Sequence, residues 1–107
     1  MRRIGIVGFG KLGSFLAEKV LGRQQTRGDV ELAFVWNRRA EAWRDHPAAA
    51  VGLHDLESFE ARAADLIVEV AHPDISSAWG TRFLAQADYL VGSPTGLADA
   101  ALRSSLL

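Results

Sequence analysis

Cysteine is absent from all 107 residues, which excludes disulfides, thiolate zinc sites and cysteine nucleophiles. Nothing in the chain asks for an oxidising compartment, so a cytoplasmic location is the expectation. No apolar run approaches the ~18 residues a membrane-spanning helix needs, so no membrane partner is expected. Met1-Arg2-Arg3 and the apolar residues after it imitate a secretory signal. Gly8, Gly10 and Lys11 interrupt that run and no cleavage site follows, so it reads as a first strand. A charge excess is missing too: the formal net charge is -1, which argues against a broad nucleic-acid or anionic-membrane surface while leaving room for one basic pocket. No two candidate metal ligands fall at ligand spacing on one element, so no metal site is expected. Low-complexity tracts are missing and 49% of residues are hydrophobic; residues 1–107 are expected to form one ordered domain.

What is present centres on Ile4-Gly5-Ile6-Val7-Gly8-Phe9-Gly10-Lys11-Leu12-Gly13, a run of strand length that breaks into glycines and restarts as a helix. Gly8, Gly10 and Gly13 stand at G-x-G-x-x-G spacing, and each is needed for a separate physical reason. Gly8 allows the tight turn, Gly10 clears the approach of a pyrophosphate to the main chain, and Gly13 lets helix pack on strand. The anion would rest on free N–H groups of the first helical turn, around Lys11 and Leu12.

Downstream, Leu12, Phe15, Leu16 and Val20 mark the apolar face of this first helix, which Gly22 is expected to end. Arg23 to Asp29 then reads as a surface connection. Val30 to Trp36 is a second strand, apolar enough for burial on both faces. A short helix over Arg39–Arg44, a weak third strand within Ala48–Leu53, and a helix from Asp55 carrying Leu56, Phe59 and Ala63 follow. Asp65 to Ala71 is a fourth strand, and Pro73 opens a helix with Ile75, Trp79 and Phe83 on one face. Tyr89 to Gly92 is a fifth strand, leading through Ser93-Pro94-Thr95-Gly96 to a last helix. Strands alternating with helices give an α/β fold: a Rossmann-like, doubly wound parallel sheet of about five strands in the order 3-2-1-4-5, with its crevice at the carboxyl ends of strands one and four.

The NAD-specific version of this fold carries an Asp or Glu about 20 residues beyond the glycines, to hold the adenosine ribose hydroxyls. Here the second strand ends in Trp36-Asn37-Arg38-Arg39. Asn37 can donate to a 2′-phosphate and the Arg38 guanidinium can pair with it, which favours NADP, or use of both NADP and NAD, over strict NAD as cofactor; the arginines would otherwise be ordinary solvated residues opening a helix. Trp36 is placed either near the adenosine half or as a packing residue. Glu69, a carboxylate inside an apolar strand, has two readings: it lines the crevice near the nicotinamide ribose, or neighbouring backbone N–H groups satisfy it. Ala71 and His72 follow at the carboxyl end of that strand, on the nicotinamide side. His46 and His54 fall in connections and are expected to face solvent, while Trp43 and Trp79 are expected to pack. No catalytic residue can be assigned.

Val7-Gly8-Phe9-Gly10-Lys11-Leu12-Gly13, Phe34-Val35-Trp36-Asn37-Arg38, Val68-Glu69-Val70-Ala71-His72-Pro73 and Leu90-Val91-Gly92-Ser93-Pro94-Thr95 together resemble the amino-terminal half of the L-aspartate dehydrogenase family, its animal members above all. The resemblance spans the whole chain. It implies an oxidoreductase that deaminates L-aspartate through an imine to oxaloacetate and ammonia while reducing NAD(P). It also implies a second, carboxyl-terminal domain with the substrate pocket, a catalytic histidine and much of a homodimer contact, which is expected to be absent here. Rival readings are a non-catalytic dinucleotide-binding or interaction module, and the cofactor domain of another NADP-dependent reductase.

Overall fold

The computed structural model describes residues 2–71 and 73–91. Strand β1 (Arg2–Val7) runs through the glycine turn into helix α1 (Lys11–Thr26), then strand β2 (Val30–Trp36) and a one-turn helix α2 (Glu41–Arg44). Two 3-10 helices, Pro47–Val51 and Leu56–Arg62, precede strand β3 (Leu66–Glu69), helix α3 (Pro73–Gln86) and strand β4 (Asp88–Val91). The four strands form one parallel sheet in the order β2-β1-β3-β4. This is the Rossmann-like α/β architecture, with the chain reversing its direction of winding between β1 and β3.

Two apolar layers sandwich the sheet. On one face Leu16, Ala17 and Val20 of α1, with Phe9, Trp43 and Ala48, cover Ile4, Ile6, Leu32, Leu66 and Val68. On the other, Ile75 and Phe83 of α3 with Leu56 and Phe59 cover Val7, Phe34 and Ile67. The parallel crossovers require this burial on both faces, and it accounts for the apolar character of β2. A bulge adds to it: the pairing of β1 with β2 shifts between Ile4 and Gly5, so Ala33 and Phe34 are consecutive yet both belong to the second layer.

Several expectations are corrected. The third strand is a 3-10 helix over Pro47–Val51, reduced as a strand to a single parallel bridge between Gly52 and Val35. That bridge lies outside β2, where order 3-2-1-4-5 puts strand three, so the topology holds while the strand does not. Pro47 at the start of the 3-10 helix and the His46 ring, whose Nδ1 accepts from the Ala48 N–H at 3.0 Å, favour a helical turn over an extended one.

Helix α1 passes through Gly22 and ends at Thr26. Gly28, at φ 67°, supplies the left-handed turn, and its N–H and that of Arg27 both donate to the Arg23 carbonyl. Arg23 also reaches Asp29 through Nε and Nη2, at 3.0 and 2.7 Å; the guanidinium hydrogen bond holds the Asp29 carboxyl below its ordinary range. Most of the expected surface connection is therefore helix. Phe15 lies off the buried face, 44% exposed. The helix at Asp55 is of 3-10 type, with the Asp55 carboxylate accepting from the Glu57 N–H at 3.0 Å, and it stops at Ala63 in a left-handed conformation.

His46 is half-buried, edge-on to Phe9 at 4.9 Å between centroids, while His54 is exposed as expected but meets the buried Trp43 edge-on at 4.8 Å. Trp79 packs beside Phe83 and Phe59. His72, Gly92 to Thr95 and the last helix lie outside the described residues.

Candidate dinucleotide-binding cleft

The carboxyl ends of β1, β2 and β3 converge on the glycine turn. The Gly8 N–H donates to the Trp36 carbonyl at 2.7 Å, and the Val70 N–H donates to the Val7 carbonyl at 2.8 Å, so the turn is tied to both neighbouring strands. Gly8 sits at φ 106°, a conformation that side chains oppose. A β-carbon on it would come within 2.8 Å of the Ala71 nitrogen. At Gly13 a β-carbon would collide with the Gly8 carbonyl, the close helix-to-turn packing that the motif needs.

Gly10 differs from both. It is exposed, and among the described residues nothing beyond its own chain neighbours lies within 4 Å of the position its β-carbon would take. The space over the turn is open, as a pyrophosphate lying against the main chain requires. Gly10 caps α1 without a side-chain hydrogen bond, no acidic residue stands in the first turn, and the first intrahelical bond is from the Ser14 N–H to the Gly10 carbonyl. The N–H groups of Lys11, Leu12 and Gly13 therefore have no partner within the helix, and the positive end of the helix dipole is not offset. The residues present fit a dinucleotide phosphate.

On the β2 side, Asn37 is committed to the protein itself. Its Oδ1 accepts from the Phe9 N–H at 2.9 Å and its Nδ2 donates to the Arg39 carbonyl at 3.1 Å. It staples the glycine turn to the segment carrying Arg38 and Arg39, both of which are exposed. Trp36 is half-buried and packs against the second layer. On the other side, Ala71 lines the turn through its backbone. Glu69 is buried and accepts from the Ala71 N–H at 2.8 Å and from the Tyr89 hydroxyl at 3.3 Å, the backbone-satisfied reading of this carboxylate. Gly8, Gly10, Lys11, Leu12, Asn37, Arg38 and Ala71 are thus brought to one end of the sheet, and His72 lies outside the described residues.

Two contributors escape sequence reasoning: Phe9, whose N–H rather than side chain matters, and Tyr89. The second leaves a signal, since Glu69 and Tyr89 are polar residues on strands expected to be neighbours. Among the described residues no group of three or more His, Asp or Glu could hold a metal, and no helix is long and apolar enough to cross a membrane.

A glycine turn feeding an uncapped helix, at the point where a parallel sheet reverses its winding, defines a dinucleotide-binding domain of the Rossmann type. The chain belongs to the family described as homoserine dehydrogenase, NAD binding domain, whose profile matches residues 8–107. It is 47% identical over 104 residues to an aspartate dehydrogenase domain-containing protein of Danio rerio, covering 97% of this chain and 37% of that one. A protein of the same name from Xenopus tropicalis is also 47% identical, with 36% of its length covered. The chain thus spans little more than a third of these relatives, as an NAD-binding domain of the homoserine and aspartate dehydrogenase type.

Solved structures agree on the fold. Prephenate dehydrogenase from A. aeolicus, in complex with hydroxyphenyl propionate and NAD+, superposes with a TM-score of 0.64 at 20% identity, over 99% of this chain and 38% of that one. A meso-DAPDH mutant from Clostridium tetani, solved with DAP, gives 0.61 at 22% identity, over 85% of this chain and 27% of that one.

Proposed function

We propose that this domain binds NADP in preference to NAD, and that it serves an oxidoreductase acting on the CH–NH2 group of L-aspartate. The observation that carries the binding site is the open space over Gly10 beside the uncapped first turn of α1. In this reading Gly8 and Gly10 admit the pyrophosphate, and the N–H groups of Lys11 and Leu12 donate to it. Arg38 pairs with the 2′-phosphate, in a segment where β2 ends without the carboxylate that would repel it. Asn37 acts by holding the turn and this segment together, and Ala71 with His72 borders the nicotinamide.

The bound cofactor supplies hydride acceptance. The domain's contribution is to place it and shield its phosphates, while the amino acid pocket belongs to a further domain of the full-length oxidoreductase, which we propose to be cytoplasmic and homodimeric. The aspartate assignment rests on the 47% identity to relatives of that name.

Titration of the chain with NADPH and NADH, followed by tryptophan emission, tests the cofactor reading. Saturable quenching with NADPH as the tighter ligand is expected, and its absence for both nucleotides would remove the assignment. Aspartate-dependent NADPH production by the full-length protein tests the substrate; turnover with another amino acid and none with aspartate would replace it.

A further inference from the structure

Glu69 is the charged member of the buried set among the described residues, 1% exposed at the end of β3. The other residues of that strand are Leu66, Ile67 and Val68, and packing alone would have called for another of the same kind, because burying a carboxylate is unfavourable unless its oxygens are occupied. Both oxygens are. Oε2 accepts from the Ala71 N–H at 2.8 Å and Oε1 from the Tyr89 hydroxyl at 3.3 Å. Ala71 lies one residue past the last ladder bond, from the Val70 N–H to the Val7 carbonyl. Glu69 therefore acts as the acceptor for the first backbone donor beyond the sheet.

That donor is part of the cleft wall. A β-carbon on Gly8 would lie 2.8 Å from the Ala71 nitrogen and 2.9 Å from the Val70 carbonyl carbon, so the glycine turn rests directly on this backbone. The geometry points to Glu69 as a positioning residue for the nicotinamide half of the cleft: from inside the core, touching no cofactor, it fixes the height and orientation of Ala71 against Gly8. This rests on the reading that a dinucleotide occupies the cleft with Ala71 on its nicotinamide side.

Calorimetric titration of the whole chain with NADPH, and with 2′-phospho-ADP-ribose, which lacks the nicotinamide, separates positioning from general loss of structure. Glu69→Leu is expected to weaken NADPH about tenfold and the fragment less than about threefold. Glu69→Gln retains an acceptor for the Ala71 N–H and a partner for Tyr89, and Tyr89→Phe leaves the Ala71 bond intact; both are expected to stay within about threefold of wild type for either ligand. Should Glu69→Leu fail to fold, Glu69→Met, of similar length and without an oxygen acceptor for the Ala71 N–H, carries the same expectation. Equal weakening of both ligands, no weakening of either, or Glu69→Gln behaving as Glu69→Leu would overturn the inference. Wild-type protein that binds the fragment as tightly as NADPH would instead overturn the placement of the nicotinamide, and the inference with it.

Discussion

The carbonyl oxygen of Gly8 occupies the space that a β-carbon on Gly13 would need. The turn and the first turn of α1 are in backbone contact, and neither partner is a side chain that could move aside. Gly13→Ala is therefore expected to cost about 1–3 kcal/mol of stability, the range of an overpacked core, and to displace the turn. Gly10→Ala is its counterpart: no described residue beyond its chain neighbours stands near the new methyl, and the unfolded chain loses freedom, so stability should hold or rise by about 0.4–1 kcal/mol while NADPH affinity collapses. Thermal unfolding beside nucleotide titration reads both, and parallel behaviour of the two variants would contradict the division of labour between these glycines.

Arg38 is exposed and has no role in the core. Its replacement by Ala should leave the melting temperature unchanged and weaken NADPH by about tenfold or more, as expected for the loss of a charge-assisted phosphate contact, with NADH nearly unaffected. Equal losses for both nucleotides would show that this arginine does not read the 2′-phosphate.

Asn37 distinguishes stapling from ligand contact. Asn37→Asp keeps an acceptor for the Phe9 N–H, loses the donor to the Arg39 carbonyl, and places a negative charge where a 2′-phosphate would approach; preference should swing toward NADH. Asn37→Ala leaves the Phe9 N–H without its acceptor, costs about 1 kcal/mol, and should weaken both nucleotides alike. Binding isotherms for the two variants with the two nucleotides decide this.

Asp29 supplies a pH dependence. Its carboxyl is held below the ordinary value of 3.8 by the hydrogen bond from Arg23, so the folded state binds protons less readily than the unfolded one. The stabilisation is complete above 3.8 and is lost as pH falls through the lower folded value. Asp29→Asn should melt slightly below wild type at neutral pH, the margin being small for so exposed a pair, and the two curves should converge in acid. A margin that grows on acidification would contradict the sign.

Arg82 joins α3 to the second 3-10 helix. Its guanidinium reaches Glu57 at 2.8 Å and Glu60 at 3.0 Å and lies 4.6 Å from the centre of the Trp79 ring. Lysine cannot fork to two carboxylates and stack at once, so Arg82→Lys should lower the melting temperature by a few degrees, nearly as far as Arg82→Ala. A lysine variant as stable as wild type would reduce the contact to its charge alone.

The glycine turn, the parallel sheet and the cleft's place at the carboxyl ends of the strands are legible in the sequence because each follows from backbone sterics at particular positions. Gly8 and Gly13 announce their contacts through spacing alone. What is not legible depends on contacts remote in sequence. Gly22 looks like a helix end, yet the pairing of Arg23 with Asp29 and the turn at Gly28 carry α1 further. Ala48 to Leu53 has the composition of a weak strand, and the cap from His46 makes it a 3-10 helix. Asn37 reads as a donor toward the cofactor, since nothing in its neighbours reveals that the Phe9 N–H, 28 residues away, needs its oxygen. Glu69 is legible as an anomaly but not in its partners.

The single bridge that replaces a third strand also governs how the sheet meets other molecules. Val35 already receives the Leu53 N–H at 2.8 Å on its carbonyl, and the Trp43 ring is seated so tightly against Gly52 that a β-carbon there would overlap it. A strand arriving from another molecule would find neither a free acceptor at this point nor a flat approach. At Val35 the outer margin of β2 is thus blunted against edge-to-edge pairing, by a turn that closes over it rather than by a further strand.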